Sequence, residues 1–235
     1  MKVFSISITH LNTCTYQPGL DYEPGFRQFS GYLHIGDTDK YIFYWYVESQ
    51  RSPERDPVAY WTNGGPGCSG LYGFGTEHGP FMFGANGTVS ENPYSWNKIS
   101  NMLYVEQPAG VGFSYSNNPE DYNTGDRQAV IDQYGLILAF FDKFPEVKSN
   151  DFYISSESYG GHYMPQLALT ILNEDSSGIN FKGFIVGNPW AVPQYDYPAF
   201  NEMYYYRGLI PQPLYDRWLE HQCDQWQSRD EAVSV

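Results

Sequence analysis

Ser155-Ser156-Glu157-Ser158-Tyr159-Gly160-Gly161-His162-Tyr163 decides how this chain is read. An apolar run, Phe152-Tyr153-Ile154, leads into it, and a helix-like stretch, Met164 to Leu172, leads away. Strand, sharp turn and helix with a serine at the turn lift a hydroxyl off the end of a sheet. The same geometry aims the first helical N–H groups at whatever that hydroxyl attacks. The turn is tight, so the small residues Ser156 and Gly160 have a steric reason. Ser158 is therefore a candidate nucleophile. An ordinary strand-to-helix loop would fit the same residues, and the usual first glycine of G-x-S-x-G is Ser156 here, so the rest of the chain must decide.

Upstream, Gly31 to Ile35 and Tyr41 to Val47 read as a hairpin turning at Gly36-Asp37-Thr38-Asp39. Residues 1–30 read as loop. Pro57 to Thr62 is a short apolar strand that runs into Asn63-Gly64-Gly65-Pro66-Gly67-Cys68, and a polar, Gly-rich stretch follows to about Ser100. Met102 to Val105 is a further buried strand. Asp126 to Phe144 is the clearest helix, with Val130, Ile131, Tyr134, Ile137, Leu138 and Phe141 at helical spacing and Pro145 closing it. Phe181 to Val186 is another strand. Strands alternating with helices imply right-handed crossovers and a largely parallel sheet flanked by helices. From Pro189 onward Pro, Tyr and Trp are frequent, and only Leu214 to Cys223 reads as a helix.

Composition narrows the function. The 235 residues can bury one sizeable core. Lys and Arg number 13 against 27 Asp and Glu, a net charge of -14, which argues against nucleic-acid binding. The charge suits an acidic or extracellular setting, and simple solubility explains it equally well. No run is long enough to cross a membrane, and the apolar run at Met1 to Ile8 is too short for a secretory signal. Cys14, Cys68 and Cys223 lie far apart without a C-x-x-C, so no metal site is expected. Asn86-Gly87-Thr88 is a glycosylation sequon, with meaning only if the chain enters the secretory pathway.

An acyl-transferring serine needs two backbone donors for the oxyanion. One follows the nucleophile, here Tyr159, and the other comes from a glycine-rich loop after an earlier strand. Asn63-Gly64-Gly65-Pro66-Gly67 fits that second place. Trp61-Thr62-Asn63-Gly64-Gly65-Pro66-Gly67-Cys68-Ser69 resembles the signature loop of the serine carboxypeptidases, an α/β-hydrolase family. Glu157-Ser158-Tyr159-Gly160-Gly161-His162-Tyr163 resembles that family's nucleophile elbow. Tyr44 to Ser49, Asn92-Pro93-Tyr94-Ser95-Trp96-Asn97 and Tyr104 to Tyr115 extend the resemblance, which runs from about Phe29 to Pro189.

The resemblance implies a serine-type carboxypeptidase that releases C-terminal amino acids from peptides through an acyl-enzyme on Ser158, with no cofactor. It places the oxyanion hole at the N–H groups of Gly65 and Tyr159. The substrate's terminal carboxylate would be held by Asn63, Gly64, Glu77 and Glu157, and Cys68 matches a cysteine that is disulfide-bonded in the family. Together with the acidic charge and the Asn86 sequon, it points to a vacuolar, lysosomal or extracellular location, where Asn86 would be glycosylated. Residues 1–189 would be the N-terminal part of the α/β-hydrolase core, and 190–235 the beginning of a helical lid insertion. The carboxylate site also has a physical reading. A protonated Glu donates a hydrogen bond where an ionised one only accepts, and two Glu converging on a carboxylate push at least one proton onto the cluster. Binding should then be best at acid pH.

The base and its orienting acid are harder to place. The fold's order is Ser, acid, His. His162 lies in the turn itself and is expected to pack behind the elbow. His221 remains, with Asp175, Asp196 and Asp216 between. Because the family's acid and histidine follow a long insertion, the chain is expected to be C-terminally incomplete and to lack both. It is then expected to be poorly soluble alone, with an open sheet edge at Phe181 to Val186. An acyltransferase or esterase on the same scaffold, or an inactive homologue, remains the alternative.

Overall fold

The computed structural model describes residues 19–20, 22–174 and 177–223. The chain divides into two compact units, Met1–Asn188 and Pro189–Val235.

The first unit is built on a sheet. Strands β1 (Gln28–His34) and β2 (Lys40–Val47) form the expected hairpin, antiparallel, with Gln28 opposite Val47 and His34 opposite Tyr41. β3 (Val58–Thr62) runs parallel to both β6 (Asn101–Val105) and β8 (Phe152–Glu157), and β8 runs parallel to β9 (Phe181–Gly187). Among the described residues the order is β1-β2-β6-β3-β8-β9, with the short β7 (Tyr115–Ser116) beside β2. Every residue of β3 and β6 is buried, which is why both read as unbroken apolar runs. Alternation sorts their side chains. Val58, Tyr60, Leu103 and Val105 enter one core, packed against helices α2 (Asp126–Lys143) and α3 (Gly160–Asn173). Ala59, Trp61, Met102 and Tyr104 enter a smaller core on the opposite face.

Three sequence expectations need correction. The stretch after β3 is not featureless: it holds a short helix α1 (Leu71–Thr76) and a hairpin of β4 (Phe81–Phe83) and β5 (Val89–Glu91). Close glycine contacts let α1 pack, since a Cβ on Gly70 would sit 2.2 Å from the Val105 carbonyl oxygen. Second, α2 exists as expected and buries Val130, Ile137 and Phe141 of the expected face, but the buried face is wider. Ala129, Asp132, Gln133, Leu136 and Phe140 are buried as well, while Ile131 is 51% exposed. Buried polar pairs widen the face. Lys40 Nζ lies 2.7 Å from Asp132 Oδ2, and Tyr60 donates to Gln133 Oε1 at 3.0 Å. A hydrophobicity pattern counts both residues as outward.

Third, the second unit is helical, as a lid insertion would be, but holds one helix more than the sequence showed. It contains α4 (Pro193–Tyr206) and α5 (Gln212–Glu220). Asp196 Oδ2 accepts the N–H groups of Ala191 and Val192 at the start of α4, which offsets the Pro and Tyr content. Tyr205 stacks on Tyr215 at 4.0 Å and joins the two helices. No helix among the described residues is long and apolar enough to cross a membrane. β9 is the sheet's last strand among the described residues, with Phe184 and Ile185 about half exposed.

Candidate active site

β8 ends at Glu157, α3 begins at Gly160, and Ser158 sits between them with φ at 52°. A serine in the left-handed region is sparsely populated and needs surrounding contacts to hold it. Here Ser158 N–H donates to the Gly187 carbonyl at 2.9 Å, and Ser158 C=O accepts from Gly161 N at 2.9 Å. The side chain is exposed at the C-terminal end of the parallel strands. The expected tight packing is present: a Cβ on Gly160 would lie 2.1 Å from Ser156 Oγ. Ser156 therefore fills the space that Gly160 vacates.

The glycine-rich loop meets the elbow directly. A Cβ on Gly64 would lie 2.5 Å from Tyr159 N and 2.6 Å from the Glu157 carbonyl oxygen, both backbone atoms that cannot move aside. Gly65 is exposed, with φ at 110°, beside that contact. Among the described residues, neither the Gly65 nor the Tyr159 N–H donates a backbone hydrogen bond outside helix and strand. Tyr159 is held at its other end by its hydroxyl, which donates to Asp126 Oδ1 at 2.9 Å. The His162 ring lies 4.7 Å from the Tyr159 ring, as expected of a packing residue.

Asn63, Glu77 and Glu157 come together although Glu157 lies far from the others in sequence. Asn63 Nδ2 donates to Glu157 Oε1 at 2.9 Å and to Glu77 Oε1 at 3.3 Å. Asn63 itself is buried, and its amide is oriented from behind. Its Oδ1 accepts from Trp61 Nε1 at 2.9 Å and from Gly73 N at 3.1 Å, which directs the NH2 group to the carboxylates. Burial pushes the Glu77 carboxyl above its ordinary value, the neighbouring Glu157 charge adds to this, and the Asn63 hydrogen bond opposes it. Next to Glu77, His78 is buried against Trp61 and Trp96, with its Nδ1 3.1 Å from the Tyr104 hydroxyl. That burial lowers its pKa to about 4.

Sequence reasoning missed the supporting residues. Trp61 stood inside the signature loop, but a role for its indole N–H required knowing that Asn63 turns back beneath it. Asp126 reads as a helix-start acid and is also the anchor of Tyr159. Glu106 is a third case. It is buried, accepts from Ser69 Oγ and from Phe113 N, and lies where a Cβ on Gly112 would clash with its carboxylate.

The remaining candidates are scattered. Asn86 is exposed in the turn between β4 and β5. Among the described residues neither Cys68 nor Cys223 is in a disulfide, while Cys14 and Asp175 lie outside them. In the second unit Asp196 accepts the N–H groups of Ala191 and Val192 just before α4, Asp216 accepts from Gln212 Nε2 at 2.7 Å, and His221 follows the last turn of α5. Among the described residues no group of His, Cys, Asp and Glu could hold a metal ion.

Residues 18–234 match a family model described as serine carboxypeptidase. Serine carboxypeptidase-like 20 of Arabidopsis thaliana is 43% identical over 213 residues, covering 86% of this chain and 43% of that protein. The lysosomal protective protein of Mus musculus is 44% identical over 209 residues, covering 88% and 43%. The solved structure of Kex1(delta)p, a prohormone-processing carboxypeptidase from Saccharomyces cerevisiae, superposes with a TM-score of 0.70 at 26% identity, covering 80% of this chain and 44% of that one. The chain thus spans less than half the length of these proteins, and its sheet is the expected α/β-hydrolase sheet.

Proposed function

The chain belongs to the serine carboxypeptidase family, and on that premise we propose that it supplies the nucleophile and the carboxylate-binding side of a serine-type carboxypeptidase. Ser158 Oγ attacks the last peptide carbonyl of a substrate, and the C-terminal amino acid leaves. Water then releases the remaining peptide from the Ser158 ester. The N–H groups of Gly65 and Tyr159 take the developing oxyanion, and the left-handed turn at Ser158 holds the hydroxyl clear of the sheet.

The observation that carries this reading is the Asn63 amide bonded to both Glu77 and Glu157 beside the elbow. One extra proton on that pair makes it a donor for a substrate carboxylate. A hydrolase for internal peptide bonds or neutral esters has no use for such a pair. Its proton is held best in acid, which suits an acidic compartment. The exposed Asn86 sequon agrees with passage through a secretory route. No general base is assigned among the described residues, since His162 packs on Tyr159 and His221 ends α5.

The test is hydrolysis of an N-blocked dipeptide and of its C-terminal amide, by the protein and by Ser158→Ala. Release of the free C-terminal amino acid, at least about a hundredfold faster than cleavage of the amide and lost in Ser158→Ala, is expected. Equal cleavage of both substrates would overturn the carboxylate assignment. Acyl transfer from an activated ester without dipeptide hydrolysis would overturn the peptidase assignment.

A further inference from the structure

Beside Asn63 lies a box of aromatic rings with His78 at its centre. His78 follows Glu77 directly and is 7% exposed. Its imidazole stacks on Trp96 of the short turn Trp96–Lys98, with ring centroids 4.1 Å apart and the planes 17° from parallel. It meets Trp61 of β3 nearly at right angles, again at 4.1 Å. Tyr104 of β6 completes the box, its hydroxyl 3.1 Å from Nδ1. The other ring nitrogen, Nε2, is buried with no hydrogen-bond partner among the described residues. Packing against the rings, more than a polar network, therefore fixes the imidazole.

Trp61 links this box to the carboxylate site. Its indole Nε1 donates to Asn63 Oδ1 at 2.9 Å, and that bond turns the Asn63 amide toward Glu77 and Glu157. Two contacts hold the indole. A Cβ on Gly73 would lie 2.5 Å from Nε1, so the Gly73 backbone already touches it, and the His78 ring packs on it as well. Gly73 ties His78 to the same place. Its carbonyl accepts from Glu77 N at 3.2 Å and from His78 N at 3.1 Å, while its own N–H donates to Asn63 Oδ1 at 3.1 Å. A side chain without a flat ring at position 78 would let the indole tilt, and a tilted indole releases the amide. The ring also suits an acid site. An ordinary histidine is charged at pH 5, whereas burial lowers the pKa of His78 to about 4, so the box stays neutral where the glutamate pair holds its proton. The titratable groups around it are Tyr104 and its chain neighbour Glu77, whose charge also reaches Tyr104. Trp61 and Trp96 carry no charge.

We propose that His78 is a positioning residue for recognition of the substrate's C-terminal carboxylate. Its ring holds the Trp61 indole, the indole holds the Asn63 amide, and the amide sets Glu77 and Glu157. This role rests on the carboxylate-site reading above, and it falls to a residue that touches no substrate. A residue needed only for folding would change stability and leave the preference for a free carboxylate over an amide as it is.

The test is calorimetric titration at pH 5 with an N-blocked dipeptide and with its C-terminal amide. The parent is Ser158→Ala, alone and combined with His78→Leu, with Trp61→Phe, with both, and with His78→Phe plus Tyr104→Phe. His78→Leu should weaken binding of the acid about tenfold and leave the amide within about twofold. In Trp61→Phe, which lacks the indole donor, adding His78→Leu should weaken the acid no further, because residues that act through one bond are not additive. The phenylalanine pair keeps a flat ring against both indoles and removes both partners of the Tyr104 contact, so it should fold and bind the acid as the parent does. An unchanged acid-to-amide ratio in His78→Leu overturns the proposal, as does full additivity with Trp61→Phe. Should His78→Leu fail to fold, the phenylalanine pair decides: a retained ratio supports the proposal, and a lost ratio in the folded protein overturns it. Equal binding of acid and amide by the parent overturns the carboxylate-site reading itself, and the role of His78 with it.

Discussion

At the scale of single residues, Asn63 explains most of the site. Its carbonyl oxygen is taken by Trp61 and the Gly73 N–H, so its NH2 has no alternative orientation and must face Glu77 and Glu157. The pair of carboxylates it holds stores a proton more readily than an isolated glutamate would. Glu77 is raised by burial first and by Glu157 second. A carboxyl raised in the folded state contributes its full stability below the unfolded value, and this is lost as pH rises through the folded value. Glu77→Gln removes that loss. Relative to wild type, it should therefore gain stability between pH 4 and pH 7, by less than about 1 kcal/mol because Glu77 is open to solvent. Urea denaturation at both pH values measures it, and an unchanged difference between the two proteins would refute the shared-proton picture. Ser158 and the glycine-rich loop as oxyanion candidates were legible from residue types, because acyl chemistry demands small residues and donors at fixed places, whereas Gly65 and the glutamates were placed only by the family resemblance. Trp61 and Asp126 were legible in neither way, since their roles depend on contacts that only the folded chain brings about.

At the scale of elements, strands were read more reliably than helix faces. β3, β6 and β8 announce themselves because both of their sides are buried, so no periodicity needs to be judged. Helix α2 was placed within a residue and Val130, Ile137 and Phe141 are buried as expected, yet the buried Asp132 and Gln133 were not foreseen, because Lys40 with Asp132, and Tyr60 with Gln133, are polar pairs inside the core. The pairing yields opposite expectations for neighbouring positions. Asp132→Ala leaves Lys40, 3% exposed, without its partner, and should cost roughly 3–5 kcal/mol. Ile131→Lys, one residue away and half exposed, should stay within about 0.5 kcal/mol of wild type. Chemical denaturation of the two variants decides the matter, and the reverse order would contradict the buried-pair account. Helix α4 was missed for a different reason. Its Pro198 and tyrosines argue against a helix, and the Asp196 contacts that start it are visible only in three dimensions.

At the scale of the whole molecule, the parallel strands carry the argument from sequence to chemistry. β3 and β8 lie side by side in register, with Thr62 opposite Ser156, so the loops that follow them emerge together. That adjacency brings Asn63 to Glu157 and Gly64 against Tyr159, although the two loops are far apart along the chain. The second unit could not be read this way, because no strand places Asp196, Asp216 or His221. The central claim is that the Asn63–Glu77–Glu157 cluster binds a free peptide C-terminus in its protonated form. Its most direct test is calorimetric titration of Ser158→Ala with an N-blocked dipeptide and with the corresponding amide, from pH 4.5 to pH 8. The account predicts binding of the acid that weakens about tenfold or more as pH rises, with the amide bound weakly throughout. Equal affinity for acid and amide, or acid binding that does not change across that range, would contradict it.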